Sequence, residues 1–259
     1  VSIEALPFVN WIFWAALSAG TLLVVGLTEL LGGTTRGYRL FMAWLTAASV
    51  GVLLLSELNL ASGTLADATA PLRRALVVAC ALFVAAYLVA SLARLPRSGL
   101  AIGAGLLGLA AMASLAAAGG TLSAPLFTAQ LILAALALGA VNAAMLLGHW
   151  YLVTPRLSPQ PLRRMMWLLL ATLLLQALAF GIAVIGISSG PLGGSIGWLS
   201  WLRLGVGILL PMVIVVLAML ASRAASLQAS TGLLYIGLAL VMAGSIAGAS
   251  ITYLTGVPV

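Results

Sequence analysis

Eight apolar runs of about 20 residues or more follow one another along this chain. They are Phe8 to Leu31, Tyr38 to Leu60, Leu72 to Arg94, Gly99 to Ala118, Pro125 to Val153, Leu162 to Ser188, Gly197 to Ser222 and Thr231 to Leu254. A helix needs about 20 apolar residues to cross ~30 Å of hydrocarbon. Backbone polar groups left unpaired in lipid are costly, so each run must cross as a helix. Only 6% of the residues are charged, against about 25% in an ordinary soluble domain. A water-facing globule of this length cannot be made from so few charges. The sequence therefore predicts an all-α, polytopic integral membrane protein with eight transmembrane helices. It reads as a single transmembrane domain over residues 1–259, with no soluble domain. Val1 stands where an initiator Met would be expected, which leaves room for a short leader upstream. The first run lacks a basic n-region and is too long for a signal-peptide core, so it is expected to be a retained span.

The breaks between runs carry loop chemistry, such as Gly32-Gly33-Thr34-Thr35, Leu95-Pro96 and Pro155 to Pro161. Pro125 and Pro161 sit where helices begin, a position that tolerates a missing N–H. Pro211 lies inside the seventh run and predicts a kink. The charges write the topology. Connections 1–2, 3–4, 5–6 and 7–8 hold Arg36, Arg39, Arg94, Arg97, Arg156, Arg163, Arg164 and Arg223, eight of the eleven arginines. The other side has only Arg73, Arg74 and Arg203. By the positive-inside rule the eight-arginine side is cytoplasmic, with both termini outside. The expected location is a bacterial inner membrane. Trp11, Trp14, Trp198 and Trp201 fall near the outer boundary, and Tyr38, Trp150, Tyr151 and Trp167 near the inner one, as aromatic belts do.

Composition also excludes functions. The formal charge of +7 comes from arginines scattered at span ends, so it argues for topology and against nucleic acid as a partner. The chain has no Lys, one Cys and one His. Schiff-base retinal chemistry, a multi-thiolate cluster or zinc site, and bis-His haem ligation within the chain are all ruled out. Four acids, Glu4, Glu29, Glu57 and Asp67, form no Asp-rich magnesium motif.

A weak internal echo links Gly26-Leu27-Thr28-Glu29-Leu30 with Gly148-His149-Trp150-Tyr151-Leu152. Each closes the first span of a four-span half. A 4+4 parallel repeat with halves 1–120 and 121–259 is thus a candidate arrangement. If it holds, Glu29 and His149 occupy related places and could meet at the cytoplasmic face.

The stretch Gly148 to Arg156 is the most distinctive. His149 lies about one turn inside the cytoplasmic boundary, beside Trp150, Tyr151 and Arg156. Imidazole there can hydrogen-bond a quinone carbonyl, relay a proton or ligate haem. It can equally well bridge helices where water reaches it. Asn142 is seven residues earlier and shares a helical face with His149, which offers either a polar track or an interhelical hydrogen bond. Glu29 is a candidate because acids at depth are costly, though a pair with Arg36 or Arg39 would make it structural. Glu57 is expected to pair with Arg73 and Arg74 across the 2–3 hairpin. Arg203 is expected to snorkel outward or to meet Glu57. Gly244 to Gly248 and Gly99 to Gly103 are GxxxG patterns that license close helix packing.

These residues favour a membrane subunit of a respiratory or other redox (electron-transfer) complex. It would anchor partner subunits and contact quinone on the cytoplasmic side through His149, Trp150, Tyr151, Arg156, Asn142 and Glu29. As a cofactor, quinone is favoured over a single haem b on His149. No catalytic or metal constellation is visible, so the chain reads as a non-catalytic subunit more readily than as an enzyme. The alternative is a small multi-pass transporter or channel for protons or an apolar or lipid-like solute. The scarcity of deep polar groups weighs against it.

Overall fold

The computed structural model describes residues 6–60, 69–118, 124–154, 157–186, 192–195 and 197–255. Eight helices are long and apolar enough to span a membrane, and among the described residues there is no strand. The protein is an all-α polytopic membrane protein. Its helices are α1 (Leu6–Leu31), α2 (Arg36–Leu58), α3 (Ala70–Leu92), α4 (Ser98–Ala118), α5 (Ala124–Val153), α6 (Gln160–Gly186), α7 (Gly197–Arg223) and α8 (Leu227–Thr255).

The first four helices form a ring in which α1 touches α2 and α4, and α3 touches α2 and α4. The last four repeat that order: α5 touches α6 and α8, and α7 touches α6 and α8. The rings join where α1 crosses α5, flanked by α4 against α5 and α1 against α8. Glycine makes that crossing. A Cβ on Gly139 would fall on the backbone of Gly20 and Thr21, and one on Gly20 would fall on the Ala135 carbonyl. Without a strong hydrophobic drive between helices in lipid, such close backbone approach is what holds them together. Around it pack Ala15, Ala16, Ala19, Ala135, Ala137 and Leu138, all buried.

Within each ring, the first helix meets the fourth through another glycine. Gly26 faces Ser98 and Ile102 of α4, and Gly148 faces Thr231 of α8. The third helix of each ring also ends alike. Arg94 (φ 62°) and Ala225 (φ 58°) are left-handed. The N–H of Leu95 donates to the Ala90 carbonyl at 2.9 Å, and that of Ser226 to the Ala221 carbonyl at 3.0 Å. These are Schellman closures, which satisfy carbonyls left over at a helix end.

Pro211, where the sequence predicts a kink, is preceded by a widened helical turn. Residues Gly205–Leu209 make a π-helical turn, in which the Leu210 N–H reaches back to the Gly205 carbonyl. Pro211 has no N–H, and its ring crowds the carbonyl four residues back. Widening the preceding turn relieves that clash.

Candidate functional sites at the two ends of the bundle

Glu29 ends α1 at the arginine-rich end, but its partners are not Arg36 or Arg39. Its carboxylate accepts from Arg97 Nε at 3.2 Å and from the Tyr87 hydroxyl at 2.9 Å. The reason is the ring itself. Packing α1 against α4 brings the 3–4 connection over the end of α1, whereas Arg36 and Arg39 start the neighbouring helix. Those two still matter. Arg36, Arg39, Arg94, Arg97 and Ser98 surround Glu29 in a cavity of ≈ 480 Å³. Four guanidinium groups around one carboxylate leave the cavity positive, and Arg39 Nε is buried there without a hydrogen-bond partner. Chemically this is a place for an anionic headgroup.

His149 lies at the same end, on the exposed side of α5. Its Nδ1 is 3.2 Å from the hydroxyl of Tyr235 in α8, and the two rings meet edge to face. Trp150 turns toward α2, where its ring lies against Gly37 and 6.4 Å from that of Phe41. Tyr151 is buried, and its hydroxyl donates to the Ser158 carbonyl at 2.8 Å, tying down the 5–6 connection. Arg156 lies outside the described residues.

Asn142 does not continue toward His149 as a polar track. Its amide donates to Thr21 of α1 at 3.1 Å, at the crossing of the two rings. Glu29 and His149 are each engaged within their own ring, the first by α3 and the 3–4 connection, the second by α8. The expected site residues therefore divide. His149 with Tyr235 and Glu29 with Tyr87 and Arg97 form two polar pairs near the membrane boundary, while Asn142 and Tyr151 brace helices.

The opposite end holds two buried arginines. Arg73 is 2% exposed and grips Glu57 through Nε and Nη2, at 3.0 and 2.9 Å, with its guanidinium over the Trp11 ring. Arg74 adds a longer contact to Glu57 at 3.5 Å. The ion pair expected across that hairpin is present. Arg203 neither snorkels nor reaches Glu57. It is 4% exposed and donates from Nη2 to Gln176 Oε1 at 3.1 Å. Gly207, Gly244 and Gly248 make room for it, since a Cβ on Gly248 would stand 3.3 Å from Nε. The first GxxxG pattern thus seats an arginine, while Gly99 of the second faces open space. Sequence reasoning missed Tyr87, Arg97, Tyr235 and the true place of Arg203. For Arg203 a signal existed: an arginine well inside an apolar run, with glycines in its own span and in the next.

Among the described residues no group of three or more His, Cys, Asp or Glu side chains could hold a metal ion. The fold and these sites define an eight-span helical membrane protein with polar pairs at both ends. No family model matches the chain, and no curated protein is significantly similar to it.

Proposed function

We propose that the chain is a membrane subunit of a bacterial electron-transfer complex that receives a quinone headgroup at its arginine-rich, cytoplasmic end. The observation that carries the reading is the His149–Tyr235 pair, 3.2 Å apart, with both side chains exposed on the bundle at the level where an inner belt is expected. An imidazole and a phenol side by side can donate to, or accept from, a quinone carbonyl and pass a proton. Short connections and scarce charge suit a subunit that leaves the redox centres to partner proteins. Those partners would dock on the polar ends of the bundle.

The test is quinone binding by the purified protein in lipid nanodiscs, read as quenching of tryptophan fluorescence by a short-chain benzoquinone or naphthoquinone. Saturable quenching that weakens in both His149→Ala and Tyr235→Phe is the expected result. Quenching unchanged in both variants overturns the assignment. A second reading, a carrier for an apolar or lipid-like solute, is supported by the matching neighbour order of the two four-helix rings, an arrangement that transporters built from parallel repeats use. Flux through liposomes holding the chain alone would favour it.

A further inference from the structure

We propose that the cavity beside Arg203 is a binding site for a carboxylate carried on an apolar body. The site lies between the rings, at the end opposite His149. Ile12 and Phe13 of α1, Phe127 and Gln130 of α5, Arg203 of α7 and Ser245 of α8 line it. Its volume is ≈ 30 Å³. A water needs roughly 10–15 Å³ by the same measure, so the space takes about two waters or one carboxylate.

Three donor atoms of these lining residues lack partners. Arg203 Nε and Nη1 and the Ser245 hydroxyl are buried and unbonded. Guanidinium stays charged in proteins and cannot shed its cost by losing a proton. A buried charge without a counter-ion is costly, and removing one partner of such a pair is strongly destabilising. Gln176 offers Arg203 only a neutral oxygen, and the Gln176 amide is itself occupied by the Leu133 carbonyl at 2.8 Å.

The other ring indicates what is missing. There the second helix supplies Glu57 and the third supplies Arg73, which meet through two hydrogen bonds. In the second ring the corresponding helices supply Gln176 and Arg203. Both Gln176 and Arg203 sit further inside their helices than Glu57 and Arg73 do. An aromatic residue from the first helix of each ring stands nearby, Trp11 beside Arg73 and Phe127 beside Arg203. The same architecture carries a carboxylate in one ring and an amide in the other. An external carboxylate would restore the fork of charge-assisted hydrogen bonds on Arg203.

The apolar part has somewhere to go. Phe13 also lines a neighbouring groove of ≈ 340 Å³ with Leu6, Val9, Asn10 and Ile246. A chain or ring attached to the carboxylate would pass Phe13 into that groove and toward lipid.

Equilibrium dialysis of the purified protein in lipid nanodiscs tests this, with empty nanodiscs subtracted. The probes are octanoate, benzoate and, as the uncharged match, octanol. Saturable octanoate binding is expected, with octanol weaker by at least about tenfold, the loss of roughly one charge-assisted hydrogen bond. Ser245→Ala should weaken octanoate several-fold, and Gly248→Val, which fills the space beside Nε, should abolish it. Benzoate binding as tightly as octanoate makes the natural ligand a compact carboxylate, and benzoate failing makes it a chain amphiphile. Both outcomes support the site. Octanol equal to octanoate, no saturable carboxylate binding, or Ser245→Ala and Gly248→Val both binding like wild type would overturn it. The comparison of acid with alcohol needs no variant, so a misfolded mutant does not blunt the test.

Discussion

Arg97 reaches across from the 3–4 connection to close on Glu29 at the end of α1, with Nε 3.2 Å from Oε2. Both side chains are largely enclosed, and the Tyr87 hydroxyl donates a further hydrogen bond to Glu29. A buried pair of this kind is sensitive to losing one member, which costs ~3–5 kcal/mol. Arg97→Met should therefore lower the thermal unfolding midpoint of the purified protein sharply. Tyr87→Phe should do so less, by the ~1.5–3 kcal/mol of a hydrogen bond to a charged group. The double variant Glu29→Gln/Arg97→Met should recover part of the loss, because the carboxylate left without Arg97 is then neutral. An Arg97→Met protein as stable as wild type would remove the pair from any structural role.

The α1–α5 crossing makes a sharper demand on sequence. Ala is the better helix former by ~1 kcal/mol, so replacing an open glycine should help. Gly51 of α2 has nothing within reach of an added Cβ, and Gly51→Ala should leave stability unchanged or raise it. Gly139→Ala places a methyl on the backbone of Gly20 and must push the two rings apart. Size-exclusion chromatography of the two variants side by side should show a monodisperse Gly51→Ala and a depleted or aggregated Gly139→Ala. Equal behaviour would mean that the rings do not depend on this contact.

The contrast between Arg73 and Arg203 shows what could be read from the sequence. The eight spans follow from hydropathy alone, and their ends fall within a few residues of expectation: Tyr38 to Leu60 became Arg36–Leu58. The Glu57–Arg73 pair was also legible, because a hairpin brings the end of one helix to the start of the next. Arg203 was not, because snorkelling presumes that the side chain faces lipid. The glycines of α7 and α8 turn it inward instead, and their significance appears only once those helices touch. Glu29 misled for a related reason. Arg36 and Arg39 are its neighbours in sequence, but the packing of α1 on α4 supplies Arg97 first. The neighbour order of the rings lies in contacts between helices, which the weak echo between Gly26 and Gly148 only hinted at.

The arginine distribution predicts that the 1–2, 3–4, 5–6 and 7–8 connections face the cytoplasm. Cysteine labelling checks this cleanly, because the native Cys80 is fully buried. Ser195, before α7, and Ser226, between α7 and α8, are both exposed and lie at opposite ends of α7. In intact cells a membrane-impermeant maleimide should label Ser195→Cys and should reach Ser226→Cys only after the cells are opened. The reverse pattern would invert the protein and put the His149–Tyr235 pair on the outer face.

That pair is the part of the molecule on which the redox reading depends. Tyr235 is 46% exposed, so neither ring is needed to fill the core. His149→Ala should therefore leave the unfolding free energy within about 0.5 kcal/mol of wild type, as expected of surface substitutions. In membranes from the native host, the same variant should assemble with its partners, recovered by copurification, yet lose quinone-linked turnover. Tyr235→Phe keeps the ring and removes only the hydroxyl. It should reduce turnover less than His149→Ala if imidazole is the main contact to the headgroup. Full turnover in His149→Ala, with normal assembly, would end the quinone assignment and leave the pair as a link between α5 and α8.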